Sequence, residues 1–418
     1  MPFLLSRWRR NALPQLTLLA AGLVWVASPA AADDFQKRQW HLTAMHAEDL
    51  WSVSTGEGVT VAVIDSGVDP VPELRGRVED EKNFAGAPPP GGGDGRSHGT
   101  HMASLIAGTG NSGTVQGLSP DVKIMSLQTG YRKIGVGGSA EAWVRAIRYA
   151  ADHGAQVINF SQGGTGLSDE HVRSLKNAVD YAQKKGLLIF AATGNEAKTD
   201  NDAGYPSSLP GVIGVGAVDR FGKVAEFSNY GPQVKLAAPG VDIPARCKSG
   251  QGLCRSGGTS PATALASASA ALIWSKHPTW TNNQVLRVMM QTASKPEEKV
   301  PSKYIGYGII RPGQVLIDGK GDPGDPDVNP LLPKEKEQAK PTHQPSAAPS
   351  ESSPDSGKGS DSEDAQRAAK GVAASGGSGG GDGGSGLLWP VLGTGAGMAV
   401  IGGAVFYLRR RQPRSSTY

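Results

Sequence analysis

Cysteine is almost absent from this chain of 418 residues: Cys247 and Cys254 are the only two. So few exclude a fold held together by a disulfide framework. No histidine or third cysteine stands near the pair, so a metal site built on it is not expected. Charge of one sign is lacking too. Lys and Arg total 42 against 38 Asp and Glu, a net of +4, which is no signature of a nucleic-acid partner. Part of that excess sits at the extreme ends, in Arg7, Arg9, Arg10, Arg409, Arg410 and Arg411. No internal repeat is present, which excludes a solenoid or propeller. Nor does any motif ask for a metal or an organic cofactor.

Long apolar runs are few, and those at the two ends read as addresses. Arg7, Arg9 and Arg10 precede the apolar stretch Leu16 to Val26, and Ala30-Ala31-Ala32 follows before Asp33. Residues 1–32 therefore read as a cleaved secretory signal; the apolar stretch is too short to span a bilayer comfortably. Leu387 to Leu408 is a second apolar segment, uncharged until Arg409-Arg410-Arg411. At about 1.5 Å per residue it reaches roughly 33 Å, the depth of a hydrocarbon core. The expectation is a single transmembrane helix over 387–408, a cytoplasmic tail over 409–418 and the bulk of the chain outside the cell membrane. No LPxTG-like motif precedes this segment, so covalent wall attachment is not expected.

Between the ends the composition divides once more. Residues 33–58 form an N-terminal extension carrying Trp40, Leu42 and Trp51. From 59 to 318, short β-branched runs alternate with helical patterns. Val59–Ile64, Lys123–Leu127, Gln156–Phe160, Leu187–Ala192 and Val212–Ala217 are strands buried on both faces. Ala140–His153 and Ser168–Lys185 have the period of amphipathic helices, with Trp143, Ile147 and Ala150 on one face. The alternation predicts an α/β domain: a doubly wound, mostly parallel sheet flanked by helices, with its site at the carboxyl ends of the strands. Residues 319–386 are rich in Pro, Gly, Ser, Asp and Lys and cannot bury a core. They read as a disordered stalk, stiffer to about Pro354 and flexible after it.

Four segments carry chemistry. Val61-Ala62-Val63-Ile64-Asp65-Ser66-Gly67 ends an apolar strand in a carboxylate suited to holding an imidazole, with Asp69 a nearby rival. Ser97-His98-Gly99-Thr100-His101 offers a general base at a helix start, with His98 and His101 as alternatives. Gly257-Gly258-Thr259-Ser260-Pro261 places a serine at the amino end of a helix of Ala and Ser, since proline suits the first turn. Ala191-Ala192-Thr193-Gly194-Asn195-Glu196 follows a strand and offers an amide to a developing oxyanion. The two cysteines fall just before the serine, and an exported, oxidising setting favours one disulfide over a metal pair.

These segments, in the order Asp, His, Ser, resemble the subtilisin-like serine proteases over about residues 36–315. The resemblance implies Asp65, His98 and Ser260 as catalytic triad and Asn195 as oxyanion donor, acting on protein or peptide substrates without a cofactor. It also implies that Ile158-Asn159-Phe160-Ser161-Gln162-Gly163-Gly164 is the substrate-binding strand, with Ser161, Gln162 and Gly163 in contact with substrate. The opposite wall would follow Leu127. The chain departs from the family pattern at Pro261, commonly Met or another apolar residue, and at Gln162, more usually apolar. The family's calcium loops are not identifiable in residues 69–97. A Gly-x-Ser-x-Gly elbow is missing around Ser260, which sets the chain apart from the α/β-hydrolases.

The whole layout resembles the mycosins, membrane-anchored subtilases associated with type VII secretion in Gram-positive bacteria. Asp33 to Leu50 leaves no room for a folded pro-domain. It matches the segment that mycosins lay along the catalytic domain. The resemblance implies a membrane-tethered endopeptidase that processes type VII secreted proteins and a type VII membrane complex as partner. A scaffold role with dispensable proteolysis, or a general surface protease, are the alternatives.

Overall fold

The computed structural model describes residues 38–87, 95–131, 138–246 and 253–332. Among them, seven strands form one sheet, β1 Thr60–Asp65, β2 Val78–Asn83, β3 Lys123–Gln128, β4 Val157–Phe160, β5 Leu188–Ala192, β6 Ile213–Val218 and β7 Val234–Pro239. Their order is β2-β3-β1-β4-β5-β6-β7, and every neighbouring pair is parallel. The chain passes from central β1 to the edge strand β2, returns to β3 beside β1, and then runs outward through β4 to β7 on the other side. The order thus reverses at β1, the crevice position at which open α/β sheets bind ligands.

Strand β1 illustrates why its sequence has no polar alternation. Val61 and Val63 enter the core on one face, whereas Ala62 and Ile64 enter the core on the other. Successive side chains point to opposite faces of a strand, so a strand covered on both faces must be apolar throughout. On the second face lie α4 Ala140–Asp152 and α5 Asp169–Lys184, packed on each other through Trp143, Ile147, Leu175 and Val179. Ser139 and Ser168 cap these helices, accepting from the main-chain N–H groups of Ala142 and His171. On the first face lie α3 Ser97–Ala107, α6 Thr259–Lys276 and α7 Asn282–Thr292.

Helix α6 is buried continuously from Thr259 to Trp274 and packs on β4, β5, β6 and β7. A helix surrounded by protein on all sides needs small side chains and no polar face. Its Ala-Ser run supplies both, because the hydroxyls of Thr263 and Ser269 donate to the carbonyls of Thr259 and Leu265, at 2.8 Å each.

Among the strands, β2, β7 and one hairpin were not expected from the sequence, nor was the helix α7. Strand β2 is Val-Glu-Asp-Glu-Lys-Asn at the sheet edge, where charge is tolerated because one side stays in water. Strand β7 is the opposite edge. A separate antiparallel hairpin, β8 Ile243–Arg246 with β9 Leu253–Ser256, leads into α6.

The N-terminal extension packs on the body. Its short helices α1 Trp40–Ala44 and α2 Ala47–Trp51 bury His41, Leu42 and Leu50. Gln39 exchanges two hydrogen bonds with the main chain of Gln116, at 2.8 and 2.9 Å, and Trp51 Nε1 donates to Leu118 O at 2.9 Å. After α8 Pro312–Leu316, contacts with the body run on past the composition change at Asp318. Arg287 donates to Asp325 O at 2.9 Å, Asn283 to Pro326 O at 2.8 Å, and Leu331 packs on the core. Among the described residues no helix is long and apolar enough to cross a membrane. The expected signal segment, most of the stalk, the segment Leu387–Leu408 and the tail lie outside the described residues.

Candidate active site

Asp65 is the last residue of β1 and is fully buried. Both its carboxylate oxygens face His98 Nδ1, at 2.8 and 2.9 Å. A carboxylate can only accept, so Nδ1 carries the proton and Nε2 is left as the basic nitrogen. The carboxylate is held in turn by the main-chain N–H of Ser66 at 2.7 Å. His98 sits in the first turn of α3, and Gly99 makes its approach to β1 feasible. A Cβ on Gly99 would lie 2.3 Å from Gly67 O and 3.1 Å from Asp65 Cβ. Only hydrogen fits there.

The two rivals are separated by the same geometry. His101, one turn further along α3, is buried with its Nε2 unpartnered among the described residues. Burial first, then repulsion from His98 and His41, lowers its pKa to about 3, so it stays neutral. The main-chain N–H of Asp69 donates to Thr100 Oγ1 at 2.8 Å, and it is Asp65 whose carboxylate meets the His98 imidazole.

Ser260 is the second residue of α6 and is buried, with Pro261 beside it in the first turn, where its missing N–H has no helical partner to lose. The positive end of the helix lies at this residue. Its hydroxyl donates to Ser161 O at 3.3 Å, and Ser161 Oγ donates back to Ser260 O at 3.3 Å, which ties α6 to the end of β4. Helix α3, carrying His98, packs on α6, carrying Ser260. In this state the hydroxyl rests on Ser161 and not on the imidazole; catalytic hydrogen bonds commonly tighten only around a substrate.

Asn195 follows β5. Its Oδ1 accepts from the main-chain N–H of Thr259 at 2.8 Å and from Thr259 Oγ1 at 3.2 Å. With the carbonyl end engaged, the amide end is the one free to donate. The sequence reading missed Thr259 in this role, since its partner lies 64 residues away. Gly194, at φ +108°, forms the bend that brings Asn195 beside α6.

Ser161, Gln162, Gly163, Asn195 and Ser260 line one cavity of about 400 Å³. Gln162 is where the chain departs from an apolar pattern, and its side chain has a structural task. Its Oε1 accepts from Thr129 Oγ1 at 2.7 Å and from Trp143 Nε1 at 3.1 Å, joining the wall after β3 to the wall after β4. An apolar side chain would take the acceptor from the Trp143 indole N–H and leave Thr129 Oγ1 only its longer contact with Asp65 O, at 3.4 Å. Cys254 lies on β9 opposite Ala245 and is not a free thiol, while Cys247 lies outside the described residues.

A buried carboxylate, an imidazole with a free basic nitrogen, a hydroxyl at a helix amino end and an oriented amide can together carry out acyl transfer. Comparison with known proteins agrees with that chemistry. The subtilase family, Peptidase S8, matches residues 56–308. Subtilisin from Bacillus pumilus is 38% identical over 272 residues, which cover 64% of this chain and 92% of that protein. Among solved structures, MycP1 from Mycobacterium smegmatis aligns with a TM-score of 0.59 at 28% identity, covering 71% of this chain and 88% of MycP1. A further MycP1 structure, described as a serine protease and an essential component of the type VII (ESX-1) secretion system, aligns with a TM-score of 0.58 at 30% identity. The coverage is 68% of this chain and 89% of that one.

Proposed function

We propose, from the premise that this chain belongs to the subtilase family and is a subtilisin-like serine peptidase, that Asp65, His98 and Ser260 are its triad and Asn195 its oxyanion donor. His98 Nε2 takes the proton of Ser260 Oγ as that oxygen bonds to the scissile carbonyl carbon. Asp65 stabilises the imidazolium that forms. The carbonyl oxygen becomes an oxyanion beside the Asn195 amide. Collapse expels the amine, which receives the proton from His98, and leaves an ester on Ser260. Water then repeats the sequence and releases the acid. The observations that carry this reading are the contact of both Asp65 oxygens with His98 Nδ1, the packing of the His98 helix on the Ser260 helix, and a cavity lined by Ser260 and Asn195.

The natural role is processing of type VII secreted proteins by an enzyme tethered at the outer face of the cell membrane. Two things support it: the likeness to MycP1, and the apolar segment Leu387–Leu408 followed by three arginines. A tether raises the enzyme's local concentration at the export site without any new contact. The description of MycP1 as an essential component of its system favours a second reading, in which the folded domain also stabilises a secretion complex. Extracellular proteomes of the wild type, a deletion strain and Ser260→Ala separate the two. Processing alone predicts altered client proteins and equal export defects in both mutants; a structural role predicts a worse defect on deletion. Unchanged exported proteins in both mutants would contradict the type VII assignment.

A further inference from the structure

The cavity beside Ser260 carries negative charge that the reaction itself does not need. Among the described residues its lining includes Glu196, Asp200 and Asp202 and no Lys, Arg or His. Lys198, the cation nearest in sequence, is paired with Glu226 at 2.5 Å.

Part of the lining is a wall of small residues in which Gly163-Gly164 and Gly204-Tyr205 lie side by side. The two segments are joined by paired hydrogen bonds, from Gly164 N to Tyr205 O at 3.1 Å and from Tyr205 N to Gly164 O at 2.9 Å. Buried Asn229 clamps the acidic loop. Its Oδ1 accepts from Glu196 N at 2.7 Å, and its Nδ2 donates to Asp202 O at 3.0 Å. One side chain thereby pins the main chain at two of the three acids, and the Glu196 carboxylate itself accepts from the main-chain N–H of Asn195 at 2.6 Å. Asn201, between Asp200 and Asp202, exchanges hydrogen bonds with the main chain of Tyr230 at 2.8 and 3.0 Å, which pins the loop there. Among the described residues, no group of three or more acids, His or Cys is arranged to hold a metal.

We infer that this cavity selects a lysine or arginine immediately before the scissile bond. The inference rests on the proposed roles of Ser260 and Asn195. The carbonyl carbon attacked by Ser260 and the oxygen received by Asn195 belong to one substrate residue, and the cavity both residues line takes that residue's side chain. A volume of about 400 Å³ admits a long side chain and water. Three acidic residues in the lining favour a cation there and disfavour an acidic side chain, which gives selectivity in both directions.

The test uses the purified exported protein and fluorogenic peptides that differ only at that one position: Arg, Lys, Leu, Phe and Glu. The expected kcat/KM is about tenfold higher for Arg or Lys than for Phe, with Glu poorest and the advantage shrinking at high salt. Glu196→Gln and Asp202→Asn should each lower the basic-to-apolar ratio about threefold, and the double variant about tenfold. Asp202→Asn guards against disturbance of the site by the Glu196 variant, because the Glu196 carboxylate accepts from the main-chain N–H of Asn195 at 2.6 Å, whereas the Asp202 contact with Asn229 is made by its main chain. A preference for Phe or Leu in an enzyme that a fluorophosphonate still labels at Ser260 overturns the inference alone. So does a ratio unmoved by Asp202→Asn. Absence of labelling at Ser260 in the wild type overturns the triad reading and this inference with it.

Discussion

The main-chain N–H of Thr259 donates to Asn195 Oδ1 at 2.8 Å, so the residue preceding Ser260 orients the amide that faces the same cavity. If that amide stabilises an oxyanion, its effect belongs to the transition state and not to substrate binding. Asn195→Ala is then expected to lower kcat by about 10²–10³-fold with little change in KM, the range such donors contribute in subtilisin. Thr259→Val removes the second hydrogen bond, from Oγ1 at 3.2 Å, together with the one that Oγ1 accepts from Gly194 N at 3.2 Å, but keeps the first. Its kcat should fall only about fivefold, the scale of such supporting hydrogen bonds. Steady-state kinetics on one peptide substrate compares the two; a large KM change for Asn195→Ala would argue for a binding role instead.

Gly99→Ala tests how closely α3 must approach β1. The added methyl would meet the Gly67 carbonyl at 2.3 Å, and backbone cannot yield as a flexible side chain does. The start of α3 must shift, carrying His98 away from Asp65. A loss of about 1–3 kcal/mol in stability is expected, with activity falling further than stability accounts for. Denaturant unfolding and kcat/KM measured together check this.

The buried histidines set an acid limit. Burial lowers the pKa of His41 to about 3, and His41 has neither ring nitrogen partnered among the described residues. His101 is lowered to about 3 as well. Between pH 6.5 and 3 the unfolded chain binds protons at these positions that the folded chain refuses. Stability is therefore complete above about pH 6.5 and falls with decreasing pH by about 1.4 kcal/mol per unit per histidine. His41→Leu removes one proton from the difference and relieves two unpartnered nitrogens. It should flatten the decline of melting temperature between pH 6 and 4; an unchanged slope would mean that other groups govern acid unfolding.

Cys247 and Cys254 are proposed to form a disulfide that braces the hairpin leading into α6. The loop it closes is short, so its loss should cost about 2 kcal/mol or less of global stability. Activity should suffer more, because β9 runs directly into Gly257, Gly258 and the Ser260 helix. Intact mass after thiol alkylation checks the bond: two alkylated thiols in freshly exported protein would refute it.

The central strands could be read from the sequence because burial on both faces leaves no polar alternation, as in Val61 to Ile64. Strand β2 was hidden by the opposite circumstance: an edge tolerates Glu, Asp, Glu and Lys in succession, which looks like a loop. Of the site, Asp65, His98, Ser260 and Asn195 each carry a local signature, a strand end, a helix start or a turn. Thr259, Glu196, Asp202 and Asn229 do not. Their contributions arise from contacts between segments far apart in sequence, such as Asn229 clamping Glu196 and Asp202. The docking of His41 beside α3 depends in the same way on how the extension packs.

The assignment of Ser260 as nucleophile is tested most directly by intact and peptide mass spectrometry after treatment with a fluorophosphonate. One adduct per chain is expected, located on Ser260, with none on Ser260→Ala and strongly slowed labelling of His98→Ala. An adduct on a different serine, or equal labelling of Ser260→Ala, would contradict the account.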